Sequence, residues 1–149
     1  MTFSVEFGAV QPIEVYFDQL DALRTLHHAQ YVLLVDRALG SYWETRGYHH
    51  DAELTQPDTF FLVREVSITY DQPIMDYGPV NVHFWLDRIG NTSYVQGFRV
   101  VSADGGVEYA HGTRVLIKVD PKTMRPSPIT GQGLEDLQTL LRPVPAEVG

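Results

Sequence analysis

The order of apolar patterns along the chain predicts an α+β fold, with one long central helix wrapped by an antiparallel sheet of about five strands. Three observations carry this expectation. One strand pattern precedes the only long helical pattern. Four alternating patterns follow it in meander order. The helix also bears apolar residues on two flanks, as a helix enclosed by other elements does. With 149 residues the chain is sized for one domain, residues 1–149, with a core over about 12–120 and a tail over 121–149.

The first strand pattern is Ile13 to Phe17, with Glu14 and Tyr16 facing opposite Val15 and Phe17. A polar, turn-like stretch runs from Asp18 to His27. The spacing then predicts a helix from His28 to Arg46. One stripe is Ala29, Val32, Leu33, Gly40 and Trp43; the other is Tyr31, Leu34, Val35, Ala38 and Tyr42. Gly47 stands where a C-terminal cap belongs, and a polar loop, Tyr48 to Asp58, ends the segment. Val63 to Tyr70 alternates through Val66, Ile68 and Tyr70. Val80 to Leu86 sets Val80, Val82, Phe84 and Leu86 on one face, and Asn81, His83 and Trp85 on the other. Thr92 to Val101 carries Tyr94, Gln96, Phe98 and Val100 on one side; Val107 to Val119 carries Tyr109, Val115, Ile117 and Val119. Turns fall at Gln72-Pro73, Arg88-Ile89-Gly90-Asn91 and Asp104-Gly105-Gly106, the last a hairpin signal. The tail holds three prolines around Arg125, then a short amphipathic helix with Leu134, Leu137 and Leu141, expected to pack on the sheet or on a neighbouring subunit.

Composition narrows the functions. Apolar residues make up 44%, enough for a packed core, and the longest apolar run, Tyr31 to Val35, is far below the roughly 18 residues of a membrane span. The absence of cysteine removes disulfides, thiol nucleophiles and thiolate metal sites. A net charge of -8 repels nucleic acid and anionic membranes. Residues Met1 to Gln11 have neither a basic start nor an apolar stretch, so no signal peptide is expected and the cytoplasm is the expected compartment. No Gly-x-Ser-x-Gly elbow, Walker loop or dinucleotide fingerprint is present. His27-His28 and His49-His50-Asp51 invite a metal reading. Adjacent helical residues point about 100° apart, however, and recognised zinc spacings are missing, so no metal and no resident cofactor are expected.

The chemistry concentrates in Phe17 to Asp36. Asp21-Ala22 is followed by His27-His28-Ala29-Gln30-Tyr31 and then by Asp36. Further on come Thr69-Tyr70-Asp71-Gln72-Pro73-Ile74 with Gly78, and Arg88 to Tyr94. In order and spacing these pieces resemble the 4-hydroxybenzoyl-CoA thioesterase-like family of hotdog-fold proteins, over about residues 12–120. The resemblance implies a hotdog fold and hydrolysis of an acyl thioester, with coenzyme A present only as part of the substrate. It also implies Asp21 as nucleophile or base and the amide at His28 as oxyanion donor, and in one branch of the family a His at that position assists catalysis with its ring. Each site would be built from both chains of a dimer. The chain departs from the family pattern at Arg24, where Gly is usual, and at Gln19, where a second Asp is frequent. It also lacks a basic cluster at Gly90-Asn91-Thr92.

The residues support the same chemistry on physical grounds. Thioester hydrolysis needs a carboxylate to attack the carbonyl or activate water, and donors aimed at the developing oxyanion. Asp21 precedes a helix whose first N–H groups, at His28 and Ala29, have no partner within the helix and favour negative charge. Against this, Asp21 could simply close a turn, and His28 could be a first-turn residue without chemistry. Tyr31 reads as core packing or as a residue near the substrate. Asp36 reads as a second carboxylate of the site, or as a half-exposed acid paired with Arg37 or Arg88. Arg64, Arg88, Arg99, Arg114 and Lys118 are candidates for a substrate phosphate, Arg88 and Arg114 first among them, or else ordinary surface charges. Trp43 and Trp85 read as core or interface.

Two other functions compete: a 3-hydroxyacyl-thioester dehydratase or hydratase using His28 with Asp21 or Asp36, and a non-catalytic acyl-binding protein. A small curled sheet leaves open edges, so a homodimer or dimer of dimers is expected. Acyl-CoA or an acyl-carrier protein is the expected substrate; no nucleic acid or membrane partner is expected.

Overall fold

A computed structural model describes residues 3–48 and 60–144. The His49-His50-Asp51 group and most of the loop after Tyr48 lie outside them. In chain order the elements are β1 (Ala9–Val15), a 3-10 turn (Phe17–Gln19), α1 (His28–Thr45), β2 (Phe61–Tyr70), β3 (Gly78–Ile89), β4 (Ser93–Ser102), β5 (Glu108–Lys118) and α2 (Gly131–Gln138). The five strands form one antiparallel sheet in the order β1-β3-β4-β5-β2, so the α+β expectation holds. No helix of the described residues is long and apolar enough to cross a membrane.

Three of the four later strands form the expected meander, and the fourth does not. β2 skips β3 and pairs with β5 at the far edge, while β1 takes the free edge of β3. Alternation fixes which face a side chain occupies but is silent on which strand lies beside it. β1 also starts four residues earlier than its pattern suggests, and Phe17 leaves the sheet to sit exposed in the 3-10 turn.

The core lies between α1 and the concave face of the sheet. Leu34, Val35 and Ala38 of α1 and Val82, Phe84, Leu86 and Val100 of the sheet are inaccessible to solvent. Each such Leu or Phe contributes roughly 1.5–3 kcal/mol through burial. One of the two helical stripes, Tyr31 to Tyr42, is buried as expected. The other is not enclosed: Ala29, Leu33 and Gly40 are exposed and Val32 and Trp43 half-buried. The asymmetry arises because α1 packs chiefly on β1, with fewer contacts to β3 and β4, and scarcely touches β2.

In β5 the apolar stripe read from the sequence is not the helix-facing one. Ala110, Arg114, Leu116 and Lys118 are buried, whereas Tyr109, Val115 and Ile117 are half-buried on the opposite side, and only Val119 of that stripe, just past the strand, is buried. Register decides this: Gln96 pairs with Arg114, Phe98 with Gly112 and Tyr94 with Leu116, so β5 follows the helix-facing residues of β4. Arg114 and Lys118 are therefore interior groups rather than surface charges. Gly112 permits this crossing, because a Cβ there would lie 1.9 Å from the Ser67 carbonyl oxygen.

The back of the sheet is partly covered as well. His83 is buried under Phe7, donating from Nε2 to the Phe7 carbonyl at 2.9 Å and accepting at Nδ1 from Arg99 Nε at 2.8 Å. Burial, with Arg99 and Arg142 nearby, holds the ring below its ordinary pKa despite the Phe7 bond. The tail helix packs on its own chain: Leu137 and Leu140 are buried, and residues 140–142 exchange backbone hydrogen bonds with Leu86.

Candidate active site

The loop before α1 folds back on itself through an antiparallel bridge between Leu20 and Leu26. Within it Asp21 N–H donates to Thr25 O at 2.8 Å and Arg24 N–H to Asp21 O at 2.9 Å. The Asp21 carboxylate completes the turn. Its Oδ1 accepts from Leu23 N at 2.9 Å and from Thr25 N and Oγ1 at 3.3 Å each. Oδ2 takes the Thr25 hydroxyl alone, also at 3.3 Å. Partial burial pushes this carboxyl upward, but the bonds from Thr25 and Leu23 outweigh it, so the group sits below its ordinary pKa. Asp21 thus both closes the turn and presents an ionised oxygen.

Gln19 ties this loop to the helix. Its carbonyl accepts from His27 N–H at 3.3 Å and its side-chain amide donates to Gln30 Oε1 at 3.3 Å. The turn bends at Arg24, whose φ of 63° is a left-handed conformation that glycine adopts freely and other residues resist. Arg24 is exposed, so nothing in the core requires its side chain. Arg24→Gly is expected to raise stability by about 1 kcal/mol, read as a higher denaturation midpoint in urea with an unchanged slope. A midpoint lowered by the change would show that the arginine side chain itself holds the loop.

At the head of α1 the two amides named from sequence behave differently. The N-cap residue is His27, and its Nδ1 accepts the Ala29 N–H at 3.1 Å. Ala29 therefore has no amide to offer, a correction to the expected pair. The His28 N–H meets no protein acceptor among the described residues. The His28 ring is exposed, stacked on His27 with centroids 4.3 Å apart, and its carbonyl accepts from Tyr70 Oη at 3.0 Å. Tyr31 is 3% exposed and its hydroxyl accepts the Ile74 N–H at 3.3 Å, as a packing residue would.

Asp21, Thr25, His28, Tyr31, Tyr70 and Pro73 line one small open cavity of about 290 Å³. Sequence placed Tyr70 at the end of a strand and Pro73 in the turn after it, and gave them no part in a site. Their signal was the Thr69 to Ile74 motif, whose role became visible only when β2 delivered it against the helix N-terminus.

The other candidates lie elsewhere. Asp36 is eight residues along α1 from His28, about 12 Å by helical rise. It pairs with Arg114, not with Arg37 or Arg88. Both line a second, larger cavity. Arg88 is exposed at the bulge in β3 and lines neither cavity. Of the remaining basic candidates, Arg99 holds His83 and Lys118 donates to the Pro128 carbonyl at 2.8 Å. Asp71, Glu108 and His111 bring their ligand atoms within 4.8 Å of one another on the exposed surface, a cluster that joins two residues of β5 to Asp71 beyond the end of β2.

A carboxylate beside the open end of a long helix, inside a curled antiparallel sheet, defines an α+β protein with a helix-terminus site. Residues 23–109, more than half of the chain, match the model of the thioesterase superfamily, and the chain belongs to that family. The matched segment holds His28, Tyr31, Tyr70 and Pro73; Asp21 lies just before it. The chain is similar to the acyl-CoA thioester hydrolase YbgC of Escherichia coli O6:H1, with 26% identity over 117 residues, 77% of this chain and 84% of the relative. Its fold is that of the PA5185 protein of Pseudomonas aeruginosa PAO1, with a TM-score of 0.77 and 24% identity, covering 91% of this chain and 93% of that one. It is also that of the DHNA-CoA thioesterase of Staphylococcus aureus, with a TM-score of 0.73 and 17% identity, covering 89% and 91%.

Proposed function

We propose that the chain hydrolyses an acyl-CoA thioester to the free acid and thiol. The observation that carries this reading is the meeting of the ionised Asp21 carboxylate and the unclaimed His28 N–H in one cavity. A thioester carbonyl docked there directs its oxygen to the His28 amide, at the positive end of the α1 dipole. Asp21 Oδ2, the less engaged oxygen, attacks the carbonyl carbon or removes a proton from an attacking water. The carbon–sulfur bond then breaks. When Asp21 acts as base, the water's oxygen ends in the free acid and its proton goes to the leaving thiolate. When Asp21 attacks, water hydrolyses the resulting mixed anhydride and supplies that proton. Tyr70, bonded to the His28 carbonyl, acts as a positioning residue for the helix end. The family membership and the name of the YbgC relative support the same substrate class.

A dehydratase requires a proton donor beside its base. Asp36 lies at the other cavity and cannot serve that pair, and the family membership and the YbgC relative favour hydrolysis over an Asp21–His28 dehydratase. The substrate cavity is open, and among the described residues β2 has no neighbour on its outer edge while exposing Leu62, Val63, Val66 and Tyr70. Pairing of two chains there, as a dimer or a dimer of dimers, covers that edge and completes the walls of the site.

Thiol release from a panel of short, long and aromatic acyl-CoA esters, with the particle mass measured in the same buffer, tests the proposal. Turnover by a particle of at least two chains is expected. Saturable binding of the esters without thiol release would reassign the chain as an acyl-binding protein.

A further inference from the structure

The second cavity is larger than the first, about 590 Å³, and the Asp21 reaction makes no use of it. It sits between the C-terminal half of α1, the β4, β5 and β2 part of the sheet, and α2. Tyr48 Oη bonds to Asp136 and joins the end of α1 to α2 across it. Its volume lies within the range typical of small-molecule sites. The walls are apolar and aromatic: Leu39, Trp43, Phe61, Tyr94, Leu116 and Leu137.

Polar groups are set into these walls. Arg114 and Gln96 are 5% and 2% exposed. Arg114 Nε donates to Gln96 Oε1 at 3.0 Å, and its Nη1 bonds to Asp36. Because guanidinium can only donate, this bond fixes the Gln96 oxygen and leaves the Gln96 nitrogen as a donor. Neither Arg114 Nη2 nor Gln96 Nε2 has an acceptor among the described residues. No fully buried side-chain nitrogen or oxygen of the described residues lacks a partner, so these two nitrogens, in residues that line the cavity, keep some accessible surface. Two donors from buried side chains thus face a cavity in which no described residue accepts from them. Arg114 is buried while its partner Asp36 is half exposed, and a buried guanidinium with an unused donor favours an acceptor that enters the cavity.

We infer that this cavity binds a neutral, apolar carbonyl compound, with its oxygen accepting from Arg114 and Gln96 and its hydrocarbon body against Trp43, Phe61 and Leu137. The charge in the wall selects against an acid. Arg114 is already balanced by Asp36, and Glu44 adds a further negative charge to the lining. A carboxylate would enter next to two carboxylates, whereas a ketone or ester accepts the same bonds without that repulsion.

Gly40 supplies the variant. It lies on the cavity side of α1, and a Cβ there meets nothing within 4 Å. Leucine at this position projects into the chamber and also favours the helix over glycine. Arg114 itself is a poor choice, since removing it strands Asp36 and Gln96. The experiment is titration calorimetry of the full chain with 2-decanone and, separately, with decanoate below its micellar concentration. Saturable binding of one 2-decanone per chain is expected, with decanoate at least about tenfold weaker. In Gly40→Leu the ketone is expected to bind at least about tenfold more weakly, while the folded signal and Asp21-dependent hydrolysis are retained. The inference is overturned by an absence of saturation up to the solubility of the ketone, by equal or tighter binding of decanoate, or by unchanged ketone affinity in Gly40→Leu.

Discussion

Asp21→Asn is expected to lower kcat/KM for acyl-CoA hydrolysis by roughly 10²–10⁴-fold, the range for loss of a positioned base or nucleophile. The substitution is nearly isosteric. An Asn carbonyl oxygen can still accept from Leu23 N and Thr25 N, the bonds that close the turn. The folded loop therefore survives, and the loss falls on the charge. The effect should appear in kcat as well as in kcat/KM, because in the proposed mechanism the carboxylate acts in the transition state rather than in holding the substrate. Unfolding in urea supplies the control, with a midpoint close to that of the parent chain. Turnover at the parental rate in a well-folded Asp21→Asn protein would remove Asp21 from the mechanism and leave the His28 amide without a reaction to serve.

The largest effect on stability is expected at Phe84. This residue lies in β3, fully buried, with its ring edge-on to Tyr42 of α1 at a centroid separation of 4.9 Å. It pairs in register with Ala9 of β1 and Phe98 of β4. Truncation to alanine removes a ring from the contact between helix and sheet and leaves a cavity that rigid neighbours on three elements cannot close. A cost of about 3–5 kcal/mol follows, measured from urea unfolding at fixed chain concentration, since association contributes to apparent stability. Phe84 lines neither cavity, so the fraction that remains folded should hydrolyse substrate with an unaltered KM. A cost below about 1 kcal/mol would mean that the core beneath α1 repacks far more freely than its full burial implies.

The sequence by itself determined the number and order of the elements, the long helix from His28, the hairpin at Asp104-Gly105-Gly106, and the loop in which Asp21 sits. These features rest on periodicity and turn chemistry, which act between residues close in the chain. Gly105, with a φ of 79°, and the bonds that Asp104 Oδ1 accepts from Ser102 Oγ and Gly106 N are local in this sense. The carboxylate and the helix end were legible together for the same reason, being separated by only a short loop.

Tertiary structure decided what lies beside what. It sent β2 to the far edge, and so brought Tyr70 and Pro73 to the helix end rather than leaving them in a remote turn. It turned Arg114 inward by aligning β5 with Gln96 and Phe98, and so gave Asp36 a partner 78 positions away in the chain. It also took the Ala29 amide out of use, through the particular ring orientation by which His27 caps the helix. Strand pairing and side-chain rotamers are settled by the packing of distant segments against one another, and a linear pattern of polar and apolar residues carries no record of that choice.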